Sequence, residues 1–429
     1  MFIKNREKLI ESLSTNSVCI VCSGDLKIRS NDTEYMPFRP NSDFLYLTGF
    51  DEPESILVIQ KGVNETKTTL FLRPKDKKIE IWTGYRLGLE AAPQKCSVDQ
   101  AEDIETFQTK IKELMVGFHH LYFDMMNVEL HSILLNSLKS ITNSRGNKKP
   151  IPFQFNNLSK FTYKQRLIKT ESEIDLIKSA CKITKETHIK LMRESHRCNN
   201  ERELLAIINH TFTDLGATYS SYHSIVASGK NALCLHYIEN NKTLNDQDLI
   251  LVDAGAEFDY YSSDVTRTFP KGKTFSAEQK IIYDIVLKAQ KDAILYASKG
   301  KTLTDIHDFT SNILLEGLLE YKILKNSKEE ILEKNLLKQV YPHGTSHFLG
   351  MDVHDQNTRF ENEIETTLDN GMIFTVEPGL YLYPDLDINE KFKGIGIRIE
   401  DDILIKDNKS FNLTSDIPKE ILEIESIKK

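Results

Sequence analysis

No stretch of this 429-residue chain is apolar over the roughly 18 residues needed to cross a bilayer, and its longest apolar runs, such as residues 55–59, are strand-sized. Basic charge is also short. The 55 Lys and Arg against 63 Asp and Glu leave a net charge of −8, which argues against a dedicated nucleic-acid binder. The N-terminal Met1-Phe-Ile-Lys-Asn-Arg-Glu-Lys8 lacks a continuous apolar core and reads as an amphipathic helix, not a signal peptide. Cys19-Ile-Val-Cys22 has no second Cys-x-x-Cys to complete a zinc site, and it sits in a strand-like run that places the two thiols on opposite faces. With Cys96, Cys181, Cys198 and Cys234 these make six scattered cysteines, expected to be reduced. Internal repeats and low-complexity tracts are absent too. What remains is ordinary: 28% charged and 40% hydrophobic residues. The expectation is a soluble cytoplasmic protein with neither a nucleic-acid nor a membrane partner. Its length suggests two or three domains at roughly 150 residues each, with no need of disulfides.

Up to about residue 140 strand-like stretches (Ser55-Ile-Leu-Val-Ile-Gln60, Thr69-Leu-Phe-Leu72) alternate with helical ones (residues 103–116), the signature of an α/β domain. Residues 142–152 are rich in turn formers and charge and read as a connector. Thr170-Glu-Ser-Glu173 is a capping box, with Ile174, Ile177 and Cys181 at helical spacing behind it. The boundary is placed near residue 165, giving domains 1–165 and 166–429. The second domain has helices first, then strands at 248–254, 373–377 and 395–405.

Four clusters in that second part carry chemistry. Asp248-Leu-Ile-Leu-Val-Asp253 and Asp264-Val-Thr-Arg-Thr-Phe269 read as strands around a turn. A hairpin centred between Phe258 and Asp259 would set Asp253 and Asp264 directly opposite, with Cβ atoms about 5 Å apart. Two facing carboxylates want a cation, although solvated hairpin charges give the same pattern. Tyr341-Pro-His343-Gly-Thr-Ser-His347-Phe-Leu-Gly-Met-Asp-Val-His354 concentrates three histidines, without the His-Glu-x-x-His helix of zinc proteases. Gly371-Met-Ile-Phe-Thr-Val-Glu377-Pro-Gly-Leu-Tyr381 ends a strand on a glutamate at a sheet rim. In Gly394-Ile-Gly-Ile-Arg398-Ile-Glu400-Asp-Asp402 the isoleucines face one way and Gly396, Arg398 and Glu400 the other. Together they supply Asp253, Asp264, Glu377, Glu400 and His347, hard oxygen donors with a single imidazole. That set suits Mn²⁺, Co²⁺ or Fe²⁺ better than a structural zinc.

These four segments resemble those of the pita-bread metallopeptidases, and within them the Xaa-Pro aminopeptidase (aminopeptidase P) family. Phe38-Arg-Pro-Asn-Ser-Asp-Phe-Leu-Tyr-Leu-Thr-Gly-Phe50 and Ile79-Glu-Ile-Trp82-Thr-Gly-Tyr-Arg-Leu-Gly88 are similar to that family's amino-terminal domain. The resemblance implies an α/β N-terminal domain and an α+β pita-bread catalytic domain. It implies hydrolysis of the bond before a penultimate proline by two divalent metal ions, usually manganese, held by Asp253, Asp264, His347, Glu377 and Glu400. Glu377 would also take the proton from the attacking water. His354 and His236 would bind and polarise the peptide, His343 would line the proline-side pocket, and Tyr222 would contact substrate. Arg398 and Tyr381 would orient the ligands, joined by Asp32 and Arg145 from the N-terminal domain. Trp82 matches a tryptophan that reaches a neighbouring subunit's site in tetrameric relatives, and a homo-oligomer, a dimer or tetramer, is expected. Residues 356–370 depart from the family pattern, where length preference could change. A prolidase restricted to Xaa-Pro dipeptides is the alternative. A non-catalytic pita-bread binding module is disfavoured because all five ligand positions are filled, and methionine aminopeptidases lack the N-terminal half.

Overall fold

A computed structural model describes residues 1–31, 34–144, 146, 148–355, 360–361 and 364–428. Asp32 and Arg145 lie outside the described residues, as do 356–359 and 362–363 of the departing loop. The chain divides into two compact units, Met1–Gln165 and Arg166–Lys429.

The first unit is built on a six-stranded sheet of β1 (Ser17–Cys22), β2 (Ile56–Lys61), β3 (Thr66–Leu72), β4 (Gln100–Asp103), β5 (His120–Phe123) and β6 (Gln154–Asn157). The strand order is β4-β3-β2-β1-β5-β6, with β1 antiparallel to β2 and parallel to β5. A central strand covered on both faces reads as a continuous apolar run, and Val18, Cys19 and Ile20 are indeed all buried. The helix expected over 103–116 begins only at Phe107. Residues 100–103 form an edge strand, and the Asp103 side chain accepts from the Glu105 N–H, ending the strand in a 3₁₀ turn. The helix itself, Phe107–Met115, buries Phe107, Ile111 and Met115, one residue every four. Trp82 lies on the short helix Lys77–Thr83, which buries none of its residues; Trp82 is 87% exposed, beside exposed Ile81 and Tyr85.

The second unit opens with α1 (Glu171–Glu194), started by the Thr170–Glu173 capping box and burying Ile174, Ile177 and Cys181. Next comes α2 (Glu201–Asp214). These helices share a core with Val252, Phe269, Val286 and Ile397. The unit's strands include β7 (Ile225–Ser228), β8 (Leu249–Asp253), β9 (Ala256–Phe258), β10 (Tyr261–Ser262) and β11 (Thr266–Pro270), then β12 (Ile373–Val376), β13 (Gly379–Tyr381), β14 (Gly396–Arg398), β15 (Asp401–Lys406) and β16 (Lys409–Asn412). They pair as β7-β8-β11, β12-β15-β16 and β13-β14.

Two expectations are corrected here. The hairpin is centred between Asp259 and Tyr260, whose φ values of 45° and 69° make a two-residue turn with both central residues left-handed. The register therefore sets Asp253 opposite Thr266, not opposite Asp264. Asp264 falls one step along the same face, across from Gly255, where a Cβ would come within 1.8 Å of the Ser263 carbonyl oxygen. The strand read as 395–405 is two strands in different sheets. It breaks at Ile399 and Glu400 because their N–H groups leave the ladder, for the carbonyls of Pro378 and Thr266.

Candidate metal centre and active site

Each charged group of the site arrives on a backbone feature that leaves it little choice. Asp253 ends the fully buried strand β8. Glu377 follows β12, and the segment before it in space is tied alongside: Thr375 N–H donates to the His347 carbonyl, Glu377 N–H to that of Thr345, and Leu349 N–H to that of Ile373. That antiparallel run brings His347 next to Glu377. Glu400 stands at the break between β14 and β15. The result is one cavity of about 860 Å³ lined by Asp253, Asp264, His347, Glu377 and Glu400, with Tyr222, His236, His343, His354 and Arg398.

Donor atoms of Asp264, His347 and Glu400 all lie within 4.8 Å of one another. His347 Nε2 is 3.3 Å from Asp264 and 3.7 Å from Glu377. Its Nδ1 faces the Phe348 carbonyl at 3.2 Å, which only accepts, so Nδ1 carries a proton and Nε2 is the nitrogen that could coordinate a cation. Arg398 spans three groups: Nη2 donates to Asp253 at 2.6 Å, Nη1 to the Tyr381 hydroxyl at 2.8 Å and Nε to the Thr266 hydroxyl at 3.0 Å. Tyr381 in turn donates to His343 Nε2 at 2.9 Å, while His343 Nδ1 donates to the Gly344 carbonyl. Burial, with Arg398 near by, pushes His343 down to about 3, so the ring is neutral.

The electrostatics leave a deficit. Two carboxylates about 4 Å apart repel by about 4 kcal/mol at an effective dielectric of 20. Five line this cavity, of which Asp352 is held by Arg166, and Arg398 is the one permanent cation among its described lining residues. Burial and the carboxylates of Asp264, Glu377 and Asp253 push Glu400 far above the ordinary range. Burial lifts Glu377 to about 7, against the pull of His347 and Arg398. Burial also raises Asp253, although Arg398 opposes it. At His347, burial is outweighed by the Asp264 hydrogen bond and Glu377, and the imidazole rises to about 9. An oxygen-rich donor set short of positive charge fits a divalent cation.

His236 and His354 line the same cavity as exposed rings without hydrogen-bond partners among the described residues, and His354 stacks edge-on to His347 at 4.3 Å. The structure adds residues that the sequence did not flag. Thr266 donates to Glu400 at 2.7 Å. Buried Arg166 donates to both Asp352 and Asp355, at 2.5 and 2.6 Å, pinning the turn that presents His354, and Lys169 adds a 3.1 Å contact to Asp355. Two carboxylates at i and i+3 around a histidine were the available signal. Trp82 belongs to the first unit and Asp32 and Arg145 are not described, so none of the three is placed in the cavity.

Comparison with known proteins agrees across the chain. The model of metallopeptidase family M24 matches residues 175–407, and that of the aminopeptidase P N-terminal domain matches residues 2–122. The chain is 39% identical to the Xaa-Pro aminopeptidase of Haemophilus influenzae, over 99% of this chain and 96% of that one. It is 36% identical to that of Escherichia coli, over 99% and 97%. Among solved structures, proline aminopeptidase P II from Yersinia pestis aligns with a TM-score of 0.95 at 34% identity, covering 99% of this chain and 98% of that one. Aminopeptidase P from E. coli with the inhibitor Pro-Leu aligns at 0.94 and 36% identity, covering 99% and 97%.

Proposed function

The chain belongs to metallopeptidase family M24, and from that premise we infer that it is a metal-dependent exopeptidase, removing the N-terminal residue of peptides whose second residue is proline. It has the two-domain aminopeptidase P fold, an N-terminal domain followed by a pita-bread catalytic domain. The observation that carries the reading is likeness to Xaa-Pro aminopeptidases over 99% of the chain.

Asp253, Asp264, His347, Glu377 and Glu400 would hold two divalent ions, with Mn²⁺ suiting the oxygen-rich set best and Co²⁺ or Fe²⁺ also compatible. Such ions supply Lewis acidity and a lowered water pKa at neutral pH. Glu377, on the wall of the cavity, would take the proton of the attacking water. Arg398 holds Asp253 and, through Tyr381, keeps the neutral His343 ring oriented so that its face lines the proline side. His236 and His354 reach the peptide and the oxygen on which negative charge develops; Tyr222, hydrogen-bonded to Asp253, borders the same space. A dedicated site is needed because the imide nitrogen of proline has no N–H and its ring fixes φ.

The exposed trio Ile81, Trp82 and Tyr85 supports a homo-oligomer, a dimer or tetramer, with Trp82 in the subunit contact. Six unpaired cysteines support a reducing, cytoplasmic location. The deciding assay compares Xaa-Pro-Yaa tripeptides with Xaa-Pro dipeptides in the presence of Mn²⁺. Tripeptide cleavage with release of free Xaa is expected; turnover confined to dipeptides would make the protein a prolidase.

A further inference from the structure

The chain between β7 and β8 carries Leu235, His236 and Ile238 on the cavity wall and, past the 3₁₀ turn Gly229–Leu233, joins no strand until the isolated bridge of Thr243 with Asn200. Such a segment must be fixed by something else. Behind it stands Glu201, in the first turn of α2 and fully buried. Its Oε1 accepts from Ser228 N–H at 2.8 Å, the Ser228 hydroxyl at 2.7 Å and the Asn231 amide at 2.8 Å. Its Oε2 accepts from the Tyr237 hydroxyl at 2.8 Å and Lys242 N–H at 2.9 Å. All five donors are neutral. A buried carboxylate without a cation is strongly unfavourable unless its lone pairs are met, and here both oxygens are saturated. The donors clasp the segment before, within and after His236, one of them on the adjacent Tyr237.

We propose that Glu201 is a positioning residue that fixes residues 228–242 so that His236, Leu235 and Ile238 meet the peptide as a preformed wall. This rests on the reading of His236 as a peptide-binding group. A loosened segment would have to be ordered by each arriving substrate, so the effect belongs in KM.

Glu201→Gln keeps the volume but turns one acceptor into a donor. Whichever way the amide points, it faces a backbone N–H, of Ser228 or Lys242, that cannot reverse. KM for an Xaa-Pro-Yaa tripeptide is expected to rise about tenfold with kcat changed less than about twofold, the scale of a hydrogen bond to a charged group. In a His236→Ala background the same change should add less than about twofold, because the two act through one element. A full tenfold addition there overturns the proposal and leaves His236 as a binding residue. A His236→Ala variant with unaltered KM overturns the reading of His236, and the proposal with it. A merely structural Glu201 would lower the thermal midpoint and kcat with KM unmoved, which also overturns it. Should Glu201→Gln not fold, Tyr237→Phe removes a single donor and is read in the same cycle.

Discussion

Glu400 and Asp401 are consecutive and both buried, yet their surroundings treat negative charge in opposite ways. Asp401 Oδ1 accepts from Arg267 at 2.6 Å and Thr414 at 2.8 Å; its Oδ2 accepts from Lys419 at 2.6 Å, Gln290 at 2.7 Å and Asn412 at 3.0 Å. Burial alone would raise its pKa, but Arg267 and Lys419 hold it far below the ordinary range. Glu400, on the opposite side of the chain, accepts from the Thr266 hydroxyl and otherwise faces Asp264, Glu377 and Asp253, and its pKa goes up. The two carboxylates share burial and backbone. What differs is where the countercharge resides: within the chain for Asp401, outside it for Glu400. An acidic cluster whose cations are built in is structural, and one that lacks them is a place for a cation.

The comparison is tested hardest by removing charge on the cavity side. Glu377→Gln keeps volume while removing the proton acceptor and weakening a ligand. kcat should fall at least about 10³-fold, from base catalysis worth about 10²–10⁴ together with poorer cation binding. A near-normal kcat would reduce Glu377 to a rim carboxylate. Next in size is a pair of histidine variants. His347→Ala should lose bound metal and activity together. His354→Ala should keep its metal and lose about 10²–10³ in kcat, the usual effect of deleting one oxyanion donor. Metal analysis of the purified variants decides between them, and the reverse outcome would exchange their roles.

A smaller effect, read in stability, sets the two neighbours directly against each other. Asp401→Asn leaves Arg267 and Lys419 without their carboxylate and should destabilise by about 3 kcal/mol, as when one partner of a buried pair is removed. Glu400→Gln should do the opposite in the metal-free protein, raising the denaturation midpoint by relieving repulsion, while abolishing the stabilisation that added Mn²⁺ brings. Loss of stability in both variants would mean that Glu400 is as structural as its neighbour.

The segments bearing these groups could be read from the sequence because each is a short run: a strand ending on an acid, a histidine cluster, an Ile-Arg-Ile-Glu alternation. The alternation of the first unit was likewise visible in its apolar periods. Three things were not. The hairpin centre was missed by one residue because Asp259 and Tyr260 adopt the left-handed turn without the usual Gly or Asn. The break at Ile399 and Glu400 lies inside an unbroken alternation and depends on Thr266, 134 residues from Glu400. The clasp of Arg166 on the His354 turn spans 189 residues to Asp355, and no local pattern announces it. Periodicity reports which face is buried, and it is silent about which distant side chain closes a hydrogen bond.

The gentlest test varies only pH. In the metal-free protein Glu377 holds its proton more tightly when folded, at about 7 against an ordinary 4.5. Its contribution is therefore fully present below about pH 4.5 and lost as pH rises through 7, a change of at most about 3 kcal/mol. His347 acts in the same direction at higher pH, since its folded value near 9 lies above 6.5 and its contribution is lost as pH rises through 9. Asp401 is depressed below 3.8, so its contribution is present above that pH and lost only on acidification. Metal-free protein should thus lose denaturation free energy steadily between about pH 5 and 9. Protein saturated with Mn²⁺ should hold its stability over the same range, because an ion among ionised carboxylates removes the reason for them to keep protons. Denaturant titrations at a series of pH values, with and without the ion, measure both curves. A flat metal-free curve would mean that the cavity carboxylates are already neutralised by the chain itself, and the distinction between Glu400 and Asp401 would vanish.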